Sequence, residues 1–405
     1  MSEIRNRARR LGWGAFLAFA CGGLAACGGD NSDDLSGPEP PAPPTDEGVA
    51  PTAGCVDGVL QHGALYRICF PTTWNGDLVL YAHGHVPAGR ELAVPEDQIA
   101  GQSVAATVNG LGYAYATTSY RRNGLLGPEG AEDMVDLEAT VRGLYRPDPV
   151  RTLLVGVSEG GMVAALAAEG HPDRFDGALA ACGPVGDLRG QLDYFVNFRV
   201  VFDYLFPGVI PGSAVDVPAE VSARWEERYA PAVVVALVAN PAAARELVRI
   251  TGAPVERDDV VAIAVTAVGI LWYNVTGTAD AQVRLGGQPF DNSTRVYTGS
   301  SNDAALNAGV ARFSADPAAL AAVNEFETTG ALSVPVVTLH TRGDPIVPFE
   351  QEPLYAAKVA RAGKSAQLTQ FPVDRYGHCA FQVSELQTAF STLVDKVTGP
   401  LALSR

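Results

Sequence analysis

Short runs of β-branched and aliphatic residues recur along the chain at 64–70, 78–82, 113–119, 152–157, 177–182, 334–339 and 367–373. Gly, Pro, Asn or Asp stands within a few residues of each, which is how buried strands read in a sequence. Helical stretches fit between them, among them 132–145 and the Ala-rich 161–169, and an apolar-periodic helix from 381 to about 397 follows the last run. This alternation predicts an α/β fold: a doubly wound, mostly parallel sheet with helices on its faces. From Cys182 to Val334 the alternation stops for about 150 residues, far longer than an ordinary loop. Helical patterns take over at 219–229, 232–238, 242–250 and 258–273. The organisation expected is an α/β body made of 52–184 and 334–405, with a helical cap inserted at 185–333. The apolar stretch 260–272 is too short to cross a bilayer and reads as a buried helix.

The cap opens on aromatic residues, with Phe195, Phe198, Phe202 and Phe206 at the i, i+3, i+4 spacing of one helix face. Two readings stand: the face packs the cap onto the body, or Phe195, Phe198 and Phe202 form an apolar wall for an acyl or aryl group. A polar loop at 286–293 could overhang the same place.

The N-terminus reads as an export signal. Arg5, Arg7, Arg9 and Arg10 precede a short apolar stretch at 11–20, and Leu24-Ala25-Ala26-Cys27 resembles the lipobox of bacterial lipoproteins. Residues 1–26 are therefore expected to be cleaved and Cys27 lipidated, or an ordinary secretory signal to be cut nearby. Gly28, not Asp, follows the cysteine. Residues 27–51 are rich in Gly, Asp, Ser and Pro and read as a flexible tether. The expected location is the cell envelope, held to a membrane only through this anchor, or secreted.

Losing residues 1–26 removes four Arg and one Glu, moving the net charge from −16 to −19. So acidic a chain argues against nucleic acid or anionic lipid as partner. Four cysteines follow Cys27, namely Cys55, Cys69, Cys182 and Cys379. An even count in an exported chain is consistent with two disulfides, of three possible connectivities. Topology favours Cys182–Cys379, both at carboxyl ends of strands, and Cys55–Cys69, flanking the first strand; buried thiols are the alternative. No Cys-x-x-Cys or His-x-x-x-His pairing points to zinc.

Candidate chemistry starts at Gly156-Val157-Ser158-Glu159-Gly160, directly behind one apolar run and ahead of the Ala-rich helix. A strand-to-helix turn this tight needs small flanking residues and lifts the serine hydroxyl clear of the sheet. A serine needs a base, and the base an orienting acid. Asp344 lies in the turn after the 334–339 run, with Asp374 as the competing acid, and His378 lies in the loop after 367–373. Among six histidines, His340 and His171 read as structural. His83-Gly84-His85 ends an early strand, so the backbone N–H groups of His85 and Glu159 are the expected oxyanion donors.

These motifs, in this order, resemble the α/β-hydrolase superfamily of serine hydrolases over roughly 60–184 and 334–397. The resemblance rests on His83-Gly84-His85, Gly156-Val157-Ser158-Glu159-Gly160-Gly161, Arg342-Gly343-Asp344-Pro345 and Gly377-His378. The Ser-Glu-Gly-Gly form is similar to that of prolyl-oligopeptidase-type hydrolases. Gly377-His378-Cys379 resembles the His-Cys pair of tannase and feruloyl-esterase enzymes, which carry a cysteine where this chain has Val157. The resemblance implies a Ser158–His378–Asp344 triad acting without metal or cofactor on a small-molecule ester. A peptidase or amidase on small substrates is the alternative, and a ligand-binding lipoprotein without catalysis a third reading.

Overall fold

The computed structural model describes residues 48–399. The expected leader, Cys27 and most of the tether lie outside the described residues, as do residues 400–405. The strands are β1 (Gly54–Val59), β2 (Leu65–Phe70), β3 (Leu78–Ala82), β4 (Gln98–Ile99), β5 (Gln102–Ser103), β6 (Ala114–Thr118), β7 (Thr152–Val157), β8 (Gly177–Ala181), β9 (Val336–Gly343) and β10 (Leu368–Tyr376). The body helices are α1 (Val104–Gly110), α2 (Pro128–Leu144) and α3 (Glu159–Gly170). The cap helices are α4 (Leu188–Leu205), α5 (Ala219–Ala223), α6 (Ala230–Ala239), α7 (Pro241–Thr251), α8 (Val260–Leu285), α9 (Asp303–Gly309) and α10 (Pro317–Val323). The body resumes with α11 (Gln351–Arg361) and α12 (Val383–Thr398).

Eight strands form one sheet in the order β1-β2-β6-β3-β7-β8-β9-β10, and β4 and β5 form a separate small hairpin. From β6 to β10 every neighbouring pair is parallel; only β1/β2 and β2/β6 are antiparallel. Both faces of the central strands are covered, so successive residues go into different cores. Leu78, Leu80 and Leu154 pack beneath α2, α3 and α11, whereas Val79, Leu153 and Val337 pack against α12. Buried on both sides, these strands carry unbroken apolar runs, which is why they were legible.

Four elements depart from the sequence reading. Strand β1, GCVDGV, has two glycines, an aspartate and no apolar alternation, and is largely exposed. It is a strand because it pairs with β2 in a register that sets Cys55 opposite Cys69, and the two are disulfide-bonded. His340 lies within a strand as expected, but β9 and β10 run past their expected ends, so Thr341, Arg342 and Gly343 and, in β10, Asp374 also lie within strands, Asp374 beside a register shift between Val373 and Tyr376. Helix α8 continues to Leu285, well beyond residue 273. Its polar residues find partners within the protein: Thr276 and Thr278 donate back to the carbonyls of Trp272 and Asn274, and Asn274 Nδ2 donates to Ala214 O, with only Asn274 Oδ1 left unpaired among these.

By length and composition α8 could cross a membrane, yet half of its apolar 18-residue window is buried within the protein. It packs against α4, α6 and α7 around Phe198, Phe202, Trp225, Leu247, Ile263 and Ile270. These inserted helices thus share an apolar core, which Ile346 and Val347 from the segment after β9 also enter.

Candidate active site

Ser158 sits between β7 and α3 with φ 57° and ψ −126°. Such a conformation in a non-glycine residue costs on the order of 1–3 kcal/mol and persists only where its surroundings hold it. The neighbours allow it because they lack side chains. A Cβ on Gly156 would lie 1.9 Å from Gly160 O, and one on Gly160 would lie 2.0 Å from Ala82 O. The strand end, the turn and the helix start therefore close on one another, and Ser158 N anchors the turn by donating to Ala181 O at 2.9 Å.

The structure brings together the three side chains expected from motif order. His378 Nε2 is 2.8 Å from Ser158 Oγ, and His378 Nδ1 is 2.7 Å from Asp344 Oδ2. Asp344 is fully buried, and its Oδ1 accepts from the backbone N–H groups of Ile346 and Val347 at 2.9 and 3.0 Å. Burial alone would raise its pKa; the His378 charge, with hydrogen bonds from His340 and His378, outweighs burial and holds the carboxyl well below the usual range. Asp374 is remote from this arrangement: its side chain is 90% exposed and pairs with Arg342 at 2.9 Å.

A serine on a strand–helix elbow, a histidine and an acid on the loops after the last two strands, and this strand order together decide the architecture. The fold is that of the α/β hydrolases. No family model matches the chain, and no curated protein is significantly similar to it. Among solved structures it is similar to an esterase from Aspergillus oryzae, at 16% identity and a TM-score of 0.47 over 78% of this chain and 70% of that one. It is also similar to feruloyl esterase B from Aspergillus oryzae (15%, TM-score 0.43, 81% and 73% covered) and to the acylaminoacyl peptidase of Pyrococcus horikoshii (11%, TM-score 0.41, 86% and 42% covered). Likenesses this distant assign no substrate.

In this site the turn after β3 faces Ser158. A Cβ on Gly84 would lie 3.2 Å from Ser158 Cβ, so glycine permits the approach. Neither His85 N nor Glu159 N has a hydrogen-bond acceptor among the described residues, which leaves both N–H groups available to a developing oxyanion. The side chains of these two residues also meet, which the sequence did not indicate. His85 Nδ1 is 3.1 Å from Glu159 Oε2, and Glu159 Oε1 accepts from Leu126 N at 2.8 Å. Burial opposes the charged form of His85, but the Glu159 carboxylate outweighs it and raises the imidazole pKa.

Behind Asp344 lies a second buried histidine. His340 Nε2 donates to Val347 O at 2.8 Å and is 3.5 Å from Asp344 Oδ2, while Nδ1 stands at ion-pair distance, 3.4 Å, from Glu352 Oε1. Glu352 in turn accepts from Thr338 and Gln370. Burial disfavours charge on His340, yet the hydrogen bonds and charges of Asp344 and Glu352 push its pKa up to about 10. His340 is structural in position but electrically part of the site. Nothing in a strand pattern marks it, because its partners come from a turn and from α11.

The second disulfide joins Cys182, at the end of β8, to Cys379, with Cα atoms 5.4 Å apart. Cys379 Sγ lies 3.4 Å from His378 Nε2. Both cysteines have positive φ, 48° and 51°, so the bridge holds two unfavourable turns beside the histidine loop. Cys182, His378 and Cys379 are also the one close group of metal-capable side chains among the described residues; with both sulfurs in a disulfide, neither is a thiolate ligand.

An apolar pocket opens onto Ser158, lined among others by His85, Met162, Leu188, Phe195, Tyr273 and Ile346. Of the three phenylalanines expected there, only Phe195 lines it, stacked on Tyr273 with centroids 5.0 Å apart. Phe198 and Phe202 are corrections: both are fully buried in the cap core. Their spacing marked a buried helix face without saying which neighbour buries it. Gln288 and Phe290, from the expected overhanging loop, do reach the pocket.

Proposed function

We propose that the protein is an exported serine hydrolase that cleaves carboxylic esters through an acyl-enzyme. Ser158 Oγ attacks the ester carbonyl carbon while His378 Nε2 takes its proton. Asp344, kept ionised, fixes the imidazole tautomer and stabilises the imidazolium. The oxyanion is held by the His85 and Glu159 N–H groups. His378 then protonates the departing alcohol, and water repeats the sequence on the acyl-enzyme. The observation that carries this reading is the unbroken Asp344–His378–Ser158 hydrogen-bond chain at the floor of an apolar pocket. The pocket's free volume is about 100 Å³. That is less than the roughly 150 Å³ of a cavity that admits benzene, which favours short acyl groups.

The test compares p-nitrophenyl esters of increasing chain length with aminoacyl anilides. Faster turnover of short esters supports the reading, faster anilide cleavage replaces it with a peptidase, and inertness to both substrates and to fluorophosphonate probes leaves a binding protein. For location, we propose lipid anchorage through Cys27. Metabolic palmitate labelling should be lost in Cys27→Ser; equal labelling would refute it.

A further inference from the structure

The two N–H groups expected to receive the oxyanion are held in place very differently. Glu159 N belongs to the first turn of α3, directly behind the elbow that Ser158 N and the flanking glycines fix. His85 N belongs to an irregular turn, and His85 makes no backbone hydrogen bond of its own among the described residues. On either side of it, Val86 O accepts from Gly124 N at 2.8 Å and His83 O from the Tyr120 hydroxyl at 3.2 Å. What locates His85 itself is its side chain. Nδ1 lies 3.1 Å from Glu159 Oε2, and the ring packs against Trp272 and Tyr273 of α8, with centroids 6.2 and 5.9 Å away.

The Glu159 side chain is held in turn. Its Oε1 accepts from Leu126 N at 2.8 Å, so one carboxylate bridges the start of α3, the turn after β3 and the segment ahead of α2. The His85 and Glu159 side chains are only 12% and 8% exposed, so water competes little for their contact. This bridge joins the residue that carries one oxyanion donor to the residue that carries the other. Such donors act only within roughly 3 Å of the developing charge, and a misplacement of about 1 Å can cost 10²-fold in rate. A contact that fixes the separation of the two N–H groups therefore bears on the rate without touching the substrate.

Resting on the esterase reading, we propose that the Glu159 side chain is a positioning residue: it clamps the imidazole of His85 and so sets the separation of the two oxyanion N–H groups. The test measures kcat and KM on p-nitrophenyl butyrate and the Ki of butyl trifluoromethyl ketone. Ser158 Oγ adds to the carbonyl carbon of that ketone, its proton passes to His378, and the ketone oxygen becomes an oxyanion. Glu159→Leu and His85→Phe cut the contact from opposite sides, and phenylalanine keeps a ring against Trp272 and Tyr273. Each should lower kcat by roughly 10²-fold and weaken the ketone by a similar factor, with KM within about threefold of native. Combining the two should cost no more than either alone. Glu159→Gln should recover most of the rate: its amide oxygen takes Leu126 N–H, and its NH₂ meets His85 Nδ1, which accepts in its other tautomer. A proton-transfer role for either side chain would leave Glu159→Gln as slow as Glu159→Leu and overturn the proposal. So would losses that multiply in the double variant, or a lower melting temperature with kcat and Ki unchanged. If Glu159→Leu does not fold, His85→Phe carries the comparison of kcat and Ki. Faster cleavage of aminoacyl anilides than of esters would sink the esterase reading but not the clamp, which the same ratios then test, since attack on an amide develops the same oxyanion. Inertness of the native protein to both substrate classes would overturn both.

Discussion

Replacing Asp344 by Asn should abolish catalysis by changing which nitrogen of His378 carries the proton. Asp344 uses its two oxygens differently: Oδ1 accepts from Ile346 N and Val347 N, and Oδ2 from His378 Nδ1. An asparagine keeps only one oxygen, and the two backbone donors, which cannot turn away, will hold it. The amide NH₂ then occupies the Oδ2 position and points a donor at His378 Nδ1. His378 must accept there, so its proton moves to Nε2, and Nε2 can no longer accept from Ser158 Oγ at 2.8 Å. Loss of the base in this way should cost about 10⁴ in kcat, or ~5.5 kcal/mol of barrier. The fold should survive, because the amide removes a buried charge and not a packed group. The assay is p-nitrophenyl butyrate hydrolysis with far-UV circular dichroism as the folding control. Asp374→Asn, at an exposed surface pair, should stay within about twofold of the native rate. A folded Asp344→Asn protein retaining more than about a tenth of native kcat, or the reverse ranking of the two variants, would refute the reasoning.

Other outcomes follow from the same geometry. Ser158→Ala should lose turnover by several orders of magnitude and all fluorophosphonate labelling while melting like the native protein; residual activity above a few per cent would point to another nucleophile. Gly160→Ala should give no soluble folded protein, since its Cβ would sit 2.0 Å from Ala82 O; normal expression and melting would contradict the close approach. Reducing Cys182–Cys379 opens a loop spanning 197 residues, worth about 5 kcal/mol in the chain-entropy model. It should also free the histidine loop, so Cys379→Ala should melt earlier and turn over more slowly, and an unchanged rate would show the bridge to be remote from catalysis. His340 has a raised folded pKa, about 10 against an ordinary 6.5, so its contribution is complete below pH 6.5 and is lost as pH rises towards 10. Thermal stability should decline across that window in the native protein, and His340→Gln should lack that component; parallel curves would exclude a charged His340.

What was legible in the sequence was whatever local chemistry dictates. Strands buried on both faces must be apolar throughout, so β3, β7 and β8 were visible as runs. The glycines at 156 and 160 are demanded by contacts a few residues away, so the elbow was visible too. Order along the chain then singled out Ser158, Asp344 and His378 as the side chains the fold would gather. Tertiary structure decided what depends on partners distant in sequence. β1 is a strand only because β2 and a disulfide hold it, and one helical spacing places Phe195 at the pocket but Phe198 and Phe202 in the cap core. The His85–Glu159 pair spans 74 residues and the Gln191–Ile346 contact 155. No periodicity encodes such meetings, because a hydrogen bond needs two groups within about 3 Å, and only the folded chain sets that distance.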